Sequence, residues 1–306
     1  MSIRLKPLAE QVIVLTGASS GIGLAIAEGA ATKGAKLVLA ARSAVTLRDL
    51  VQDLAERGTQ AIAVVADVSK REDVARIADA AISKFGRIDT WINDAGLSIY
   101  GRLDQVSDHD SRRLFDVNFW GVVNGSLIAL AHLKQNGGAL INIGSEVSEA
   151  VVPLQGMYTA SKHAVKGFTD TLRVEVEEVE KAPVAITLIQ PTAVDTPFPE
   201  HARNYMDREP ALPEPKLDPE KVAAAVLKAA THRSRDVKVA AGAGAVVNTT
   251  FAKLAPSLAD KVAANRVSQQ QRNEAPRHPE GTLDHPGESG HKRGRHPDGG
   301  TARRNR

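Results

Sequence analysis

Seven short runs of aliphatic and β-branched residues recur along this 306-residue chain, each separated from the next by a longer amphipathic stretch, and that rhythm narrows the possible folds more than any other feature. The runs lie near 11–16 and at 36–40, 61–65, 88–92, 139–143, 184–189 and 237–240. Helical periodicity fills the intervals near 21–33, 44–57, 70–85, 107–134, 156–181 and 219–231. Strands that alternate with helices pair in parallel, and parallel strands need right-handed crossovers. The expected fold is therefore α/β, a doubly wound seven-stranded parallel sheet with helices on both faces. With 42% apolar residues the chain can bury one large core. The expected organisation is a single domain over 1–245 followed by a C-terminal tail.

Three segments break the rhythm. Residues 192–218 carry Pro197, Pro199, Pro210, Pro213 and Pro215 with little periodicity. They are too long for an ordinary connection and read as a lid or binding loop. Residues 246–264 place Val246, Val247, Phe251, Leu254, Leu258 and Val262 at helical spacing, and one more helix is expected there, packed on the domain or on a partner. From 265 to 306 apolar residues are too few to offset the entropy of ordering, so a polar, disordered or loosely draped tail is expected.

The net charge of +3 suggests a nucleic-acid partner only until the charge is located. Residues 266–306 hold nine basic and five acidic side chains, which leaves the folded part with 30 basic and 31 acidic residues. An almost neutral domain offers no basic recognition surface, and the tail lacks aromatic residues for stacking on bases. There is no strong nucleic-acid or membrane signal. No run reaches the ~18 apolar residues of a spanning helix, and the N-terminus lacks a leader's apolar stretch. The expectation is a cytoplasmic protein. Cysteine is absent, so thiol chemistry and thiolate metal sites are excluded. The tail's His278, His285, His291 and His296 are spaced irregularly, and no metal site is expected.

The first run ends in Thr16-Gly17-Ala18-Ser19-Ser20-Gly21-Ile22-Gly23 and a helix follows directly. Glycines there let the backbone turn tightly and approach a phosphate, while free N–H groups and the helix dipole face the negative charge. Such a junction also serves close packing alone. Tyr158-Thr159-Ala160-Ser161-Lys162 adds a second signal, because residues four apart share a helix face. A phenol is a poor acid or base at neutral pH, and a nearby ammonium favours the phenolate. A helix surface that carries Tyr and Lys four apart by chance is the simpler alternative. Ser145 follows the strand 139–143 and would emerge at the carboxyl edge of the sheet. Asn118 lies inside the long helical pattern 107–134, where asparagine has no propensity reason to be; a solvent-facing asparagine explains it equally well.

Taken in order, the glycine turn, Asn93-Asp94-Ala95-Gly96, Asn118, Ser145 and Tyr158 to Lys162 resemble the motifs of the short-chain dehydrogenase/reductase family over about residues 10–240. The resemblance implies a Rossmann-like sheet. It also implies catalysis by Asn118, Ser145, Tyr158 and Lys162. Tyr158 would be the general acid or base at the carbonyl or alcohol oxygen, and Ser145 would orient that oxygen. Lys162 would lower the tyrosine pKa and hold the nicotinamide ribose, with Asn118 keeping a water-linked proton relay connected to it. By the same resemblance the cofactor contacts are Gly17, Ser19, Ser20, Gly21, Ile22, Gly23, Asp67, Val68, Asn93, Ala95, Gly96, Tyr158, Lys162, Pro191, Val194 and Thr196. NAD-preferring relatives carry an acidic residue after the second strand, where this chain has Ala41-Arg42. Arg42 can pair with a 2′-phosphate, so NADP(H) is expected over NAD(H).

Two departures from the family pattern stand out, Asp94 for a second asparagine and Thr192 for the glycine after Pro191. The Thr192 change would strain glycine-only backbone angles and shift the loop.

The expected function is an NADP(H)-dependent oxidoreductase interconverting a carbonyl and a secondary alcohol on a small to medium apolar substrate. Val147, Val152, Leu154, Phe198 and the lid would line the pocket. The expected assembly is a homodimer or homotetramer through the long helices. The alternatives are an NAD(H)-dependent relative, a non-catalytic NADP(H) sensor or scaffold, and an epimerase or dehydratase of nucleotide-linked sugars. Intact Ser145, Tyr158 and Lys162 speak against the sensor, and the small segment 192–218 speaks against the sugar enzyme.

Overall fold

In the computed structural model, which describes residues 3–241, 256–287 and 290–295, the seven expected strands form one parallel sheet. The strands of that sheet are β1 (Val12–Thr16), β2 (Lys36–Ala41), β3 (Ala61–Val65), β4 (Thr90–Asn93), β6 (Gly138–Ile143), β7 (Val184–Pro191) and β9 (Asp236–Val239). Between them, β5 (Ile99–Tyr100) and β8 (Arg203–Asn204) make a separate parallel pair. The helices are α1 (Gly21–Ala31), α2 (Ala44–Glu56), α3 (Arg71–Phe85), α4 (Asp108–Phe115), α5 (Gly121–Asn136), α6 (Gly156–Arg173), α7 (Phe198–His201), α8 (Pro219–Ala229) and α9 (Pro256–Asn265).

The sheet order is β3-β2-β1-β4-β6-β7-β9. The chain moves outward from β1 to β3, then returns past β1 to build the other half from β4. Connections on the two sides of β1 and β4 thus leave in opposite directions, which opens a crevice at their carboxyl ends. Register places Val14 beside both Val38 and Trp91, so the central strands are buried on both faces. Because alternate strand residues point to opposite faces, two cores result. Ile13, Leu15, Leu37 and Leu39 pack with α1, α2 and α8 residues such as Ile26, Leu47 and Val226. Val12, Val14, Val38, Trp91 and Leu140 pack on the other side with Ile77, Leu114, Leu130 and Leu172. The molecule is a single Rossmann-like domain.

Several local details differ from the periodicity. The stretch 107–134 is not one regular helix, since α4 and α5 are joined by a π-helical turn at Asp116–Trp120. A side chain that bonds elsewhere explains such a turn, and Asn118 sits in its middle with its amide bonded to the loop after β4. A second π-helical turn, Val174–Val179, follows α6. The continuous helical stretch Asp108–Asn136 is long and apolar enough to cross a membrane, unlike the runs considered in isolation. It is instead 61% buried inside the domain, as a core helix is.

The lid segment 192–218 is built rather than open. It holds α7, pairs β8 with β5, and closes on itself through a bridge between Val194 and Leu217. The expected helix 246–264 is present as α9, and residues 246–255 lie outside the described residues. Where a disordered or loosely draped tail is expected, the described residues after α9 lie against the domain. Leu283 is almost fully buried in the second core, and Gln270 is buried between Gln155 and Pro153, donating to the Pro153 carbonyl. The compositional argument undercounts this segment because its contacts are mostly backbone hydrogen bonds and ion pairs.

Candidate active site

One cavity of about 250 Å³ opens at the crevice between β1 and β4, and most of the site residues expected from the sequence line it. The glycine turn forms its floor. Gly17 has φ +75°, and a Cβ on it would lie 2.7 Å from the Ala95 amide nitrogen. A Cβ on Gly23 would lie 2.1 Å from the Gly17 carbonyl oxygen. Both positions require glycine, Gly17 for its angle and its contact with the β4 loop, and Gly23 for the tightness of the turn itself. Ser19, Ser20, Gly21 and Ile22 face the cavity from the start of α1; Ala95 and Gly96 face it from the loop after β4; Pro191, Val194 and Thr196 face it from the end of β7.

Three expected residues do not line the cavity. Gly23 lies beneath the turn as a packing residue. Asn93 is buried in the sheet, where Trp91 Nε1 donates to its Oδ1 at 2.8 Å and its Nδ2 donates to Asn142 Oδ1 at 2.8 Å. Its side-chain amide is used below the cleft, where it ties β4 to β6 and α5. Asn118 is fully buried, which excludes the solvent-facing alternative. Its Oδ1 accepts from Leu97 N at 2.8 Å, and its Nδ2 donates to Leu97 O at 2.9 Å and Ser161 Oγ at 3.1 Å. Ser161 Oγ in turn donates to the Tyr158 carbonyl at 2.7 Å. Asn118 thereby ties the loop after β4 to the first turn of α6.

That first turn carries the chemistry. Gln155 precedes α6, and the helix points Tyr158 and Lys162 into the cavity together. Ser145, just past β6, faces the cavity beside the Tyr158 phenol, and its Oγ accepts from Val147 N at 3.3 Å. Burial pushes the phenol up to about 12, and the nearby Ser145 hydroxyl only partly opposes this. Lys162 does not draw it down: its Nζ donates to the Ile143 carbonyl at 2.8 Å and sits 5.7 Å from the centre of the Tyr158 ring. The lysine itself is pushed down to about 8 by burial, against the attraction of Asp94. The expectation that lysine lowers the tyrosine pKa is thus not met by the side chains alone.

Asp94 also lines the cavity, accepting from the Gly23 amide. Burial raises its carboxyl to about 7, opposed by Lys162 and that amide. Near neutrality it is therefore partly protonated, and a protonated carboxyl resembles the amide of asparagine in shape and in setting a donor beside a carbonyl acceptor. Thr192 also sits without left-handed angles. Its amide donates to Val239 O at 3.0 Å and its hydroxyl accepts from Ala241 N at 3.2 Å, so the loop follows a course that a β-branched residue adopts freely.

At the far end of the cavity Arg42 and Asp67 meet a residue that the sequence reading misses. Arg113 Nη2 donates to Asp67 Oδ2 at 2.6 Å and its Nη1 to Ser69 Oγ at 2.7 Å. Burial alone would raise the Asp67 carboxyl; the bonds from Arg113 and Ser69 outweigh it and hold it below the usual range. His201 on α7 and Glu146 beside Ser145 also line the cavity. Burial, reinforced by Arg42, pushes His201 down to about 4 and keeps it neutral. No short motif marks Arg113, His201 or Glu146; Arg113 meets Asp67 and His201 meets the cavity only through tertiary packing. Val147, Val152 and Phe198 line the pocket as expected, with Phe198 packed 5.5 Å from the Tyr158 ring, whereas Leu154 turns away at φ 64°. Among the described residues, His109, Asp110 and Asp284 are the one group close enough to hold an ion. Asp110 is already bonded to His109, Arg203 and Tyr205.

A parallel sheet with its crevice at the switch point, a glycine turn on one wall and a serine, tyrosine and lysine on the other define a dinucleotide-dependent oxidoreductase. Residues 11–206 match the short chain dehydrogenase family, and the chain belongs to it. It is 45% identical over 280 residues, 90% of this chain and 78% of the other, to the Bacillus subtilis protein described as an uncharacterized oxidoreductase, YxnA. An alcohol dehydrogenase from the archaeon Thermococcus sibiricus, complexed with 5-hydroxy-NADP, superposes with TM-score 0.66 at 30% identity, covering 75% of this chain and 95% of its own. A short chain dehydrogenase/reductase from Burkholderia phymatum in complex with NAD superposes with TM-score 0.70 at 30% identity, covering 89% and 99%. The protein is accordingly an oxidoreductase of CH–OH groups that uses a nicotinamide dinucleotide. The residues present fit such a cofactor: Gly17 and Gly21 at positive φ keep the turn free of side chains at the cavity, and the start of α1 places its helix N-terminus there.

Proposed function

We propose that the protein is an NADP(H)-dependent oxidoreductase that interconverts a carbonyl and a secondary alcohol on a small to medium apolar substrate, with Tyr158 as general acid and base. The observation that carries this is that Ser145, Tyr158 and Lys162 line the same cavity as the glycine turn and Arg42. The bound nicotinamide supplies or accepts the hydride. The phenol, pushed up to about 12, holds its proton through neutral pH and can give it to the oxygen of a carbonyl being reduced. Ser145 orients that oxygen by hydrogen bonding. Lys162, anchored to the Ile143 carbonyl with its Nζ beside Gly96, would hold a ribose hydroxyl of the cofactor, and Asn118 acts as a positioning residue for α6. Proton supply to Lys162 by way of ordered water near Asn118 and Gly96 belongs to the same reading.

Arg42 supports NADP(H) over NAD(H), and Arg113 adds a second guanidinium close to it. The apolar wall made by Val147, Val152 and Phe198 supports an apolar substrate. Trp120 and Leu127, two helical turns apart and both exposed, support a homodimer or homotetramer through α5. The test is oxidation of NADPH against a panel of ketones, aldehydes, quinones, steroids and acyl thioesters, repeated with NADH. Turnover with a ketone or aldehyde and a preference for NADPH is the expected result. Equal use of NADH would remove the role given to Arg42, and tight NADPH binding without turnover of any of these classes would favour a sensor.

A further inference from the structure

The C-terminal tail holds the same donors that a dinucleotide phosphate needs. The Gly21 amide, at the start of α1, donates to the His291 carbonyl at 2.9 Å. The Arg42 guanidinium donates to the carbonyls of Thr282 and Leu283, the second at 3.0 Å, and Arg113 Nε reaches the Leu283 carbonyl at 3.3 Å. Thr282, Pro286 and Gly287 line the cavity itself. The tail backbone is pressed against the lid and the end of β7. A Cβ on Gly281 would lie 2.4 Å from Ala202 O, and one on Gly294 would lie 2.8 Å from Thr196 O.

Besides backbone hydrogen bonds such as Thr282 N to His201 O at 2.8 Å, the attachments of this segment are of two kinds. Leu283 is an apolar anchor, buried in the second core. Beyond it the segment is held by partly exposed ion pairs. Lys292 meets Glu28 at 2.8 Å and Glu220 at 3.2 Å, and Arg293 meets Glu220 at 2.8 Å and Asp218 at 3.3 Å. Arg295 N also donates to Glu200 at 2.7 Å. Exposed pairs of this type contribute about 0–1 kcal/mol each. The tail therefore holds the cleft weakly at its basic end.

We propose that residues 281–287 and 290–295 are an intramolecular competitor of the dinucleotide, and that cofactor binding displaces them from Gly21 and Arg42. This rests on the reading that the dinucleotide lies in this cleft. Neutral carbonyls occupy positions where phosphate oxygens bond about twice as strongly, so a phosphate recovers more than the tail loses. A tail that closed over a bound cofactor would leave these donors free for the phosphates. Here it consumes them. The device sets the affinity of the free enzyme for its cofactor below that of the bare cleft, and it responds to whatever engages the basic tail.

The full-length chain carrying Lys292→Glu and Arg293→Glu tests this, because both new carboxylates face Glu28, Asp218 and Glu220. Neither residue belongs to the catalytic set or the floor of the cleft. NADPH titrated by its fluorescence is expected to bind this variant about fivefold more tightly than the parent, the effect of roughly 1 kcal/mol of lost competition. Full-length Leu283→Asn should shift affinity in the same direction. In the parent chain, saturating NADPH should speed tryptic cleavage after Lys292, Arg293 and Arg295. Unchanged or weaker NADPH binding by the charge-reversed variant, or protection of those sites by NADPH, would overturn the inference while leaving the cleft as the cofactor site. Failure of parent and variants alike to bind NADPH or NADH would remove the underlying reading and the inference with it.

Discussion

Gly21 and Arg42 belong to the floor of the cleft, where seven parallel strands and the helices after them fix every donor. The groups that meet them belong to a roof, residues 281–287 and 290–295, fixed by backbone hydrogen bonds, one buried leucine and a few ion pairs near solvent. Both regions approach the cavity through glycines and both offer backbone atoms to it. The floor's Gly17 and Gly23 are enclosed by backbone of the turn and of the loop after β4, and the roof's Gly281 and Gly294 by carbonyls of the lid, whereas the roof's Gly290 meets only Thr46 Cγ2, 3.5 Å from where its Cβ would be. A floor of this kind specifies what binds, and a roof of this kind modulates how readily it binds.

The largest effect should come from the floor's chemistry. Tyr158→Phe removes the only phenol in the cavity and should lower kcat by about 10²–10⁴-fold while leaving NADPH affinity within a factor of two or so. Roof variants should do the opposite, moving affinity and sparing kcat, and single-turnover rates alongside fluorescence titrations separate the two. Because burial pushes the Tyr158 phenol up to about 12, carbonyl reduction should hold its rate through neutral pH. Alcohol oxidation, which needs the deprotonated form, should rise across the alkaline range. A Tyr158→Phe protein that retains parental turnover would dissolve the contrast between floor and roof.

Next in size is a test of how firmly each region is built. Gly23→Ala places a methyl 2.1 Å from the Gly17 carbonyl, so α1 must move, at a cost of about 3 kcal/mol or more and with loss of dinucleotide binding. Gly290→Ala has room for its methyl but must keep φ +53°, which costs about 1 kcal/mol. That cost should appear as easier release of the tail and not as a lower unfolding midpoint. Equal midpoints for both variants would show that the floor yields as easily as the roof.

The sequence makes the floor readable because its signals are local. Strand, turn and helix follow one another from Val12 to Ala31, and Tyr158 and Lys162 share a face through helix geometry alone. Arg113 was out of reach because it lies 46 residues from Asp67 and joins it only when α4 packs beside the loop after β3. The roof escapes for a different reason. Its contacts with Gly21 and Arg42 use carbonyl groups, which every residue has, and one leucine among polar residues carries no periodicity. The pKa of Tyr158 escapes as well: spacing places an ammonium near the phenol, but only the fold shows that ammonium bonded to Ile143 and the phenol desolvated by the walls of the cleft.

A more moderate effect should follow from Arg42→Ala. The guanidinium holds the roof before the cofactor arrives and is available for a 2′-phosphate afterwards. Its removal should weaken NADPH by roughly 10- to 100-fold, from a charge-assisted bond of about 1.5–3 kcal/mol. NADH, with no 2′-phosphate, should bind as well or slightly better because the roof is loosened too. Paired titrations with the two cofactors read the ratio directly, and parallel weakening of both would place Arg42 in the scaffold.

The smallest effect concerns Asp94, where floor chemistry and floor stability meet. Its folded pKa, raised to about 7, stands above the ordinary 3.8. The folded state thus binds the proton more tightly, so this group's contribution to stability is fully present below about pH 4 and is lost as pH rises through 7. Asn keeps the neutral form's shape at every pH. Asp94→Asn should therefore have nearly the parental Tm at about pH 4 and exceed it at about pH 8, by the equivalent of about 1–2 kcal/mol once partial exposure is allowed for. Above neutrality Lys162 also loses its carboxylate partner in this variant, so its ammonium should titrate lower than the parental value of about 8. A Tm difference that does not change between the two pH values would mean that the carboxylate is stabilised in the fold, and that the asparagine common at this position in the family is not mimicked by a proton here.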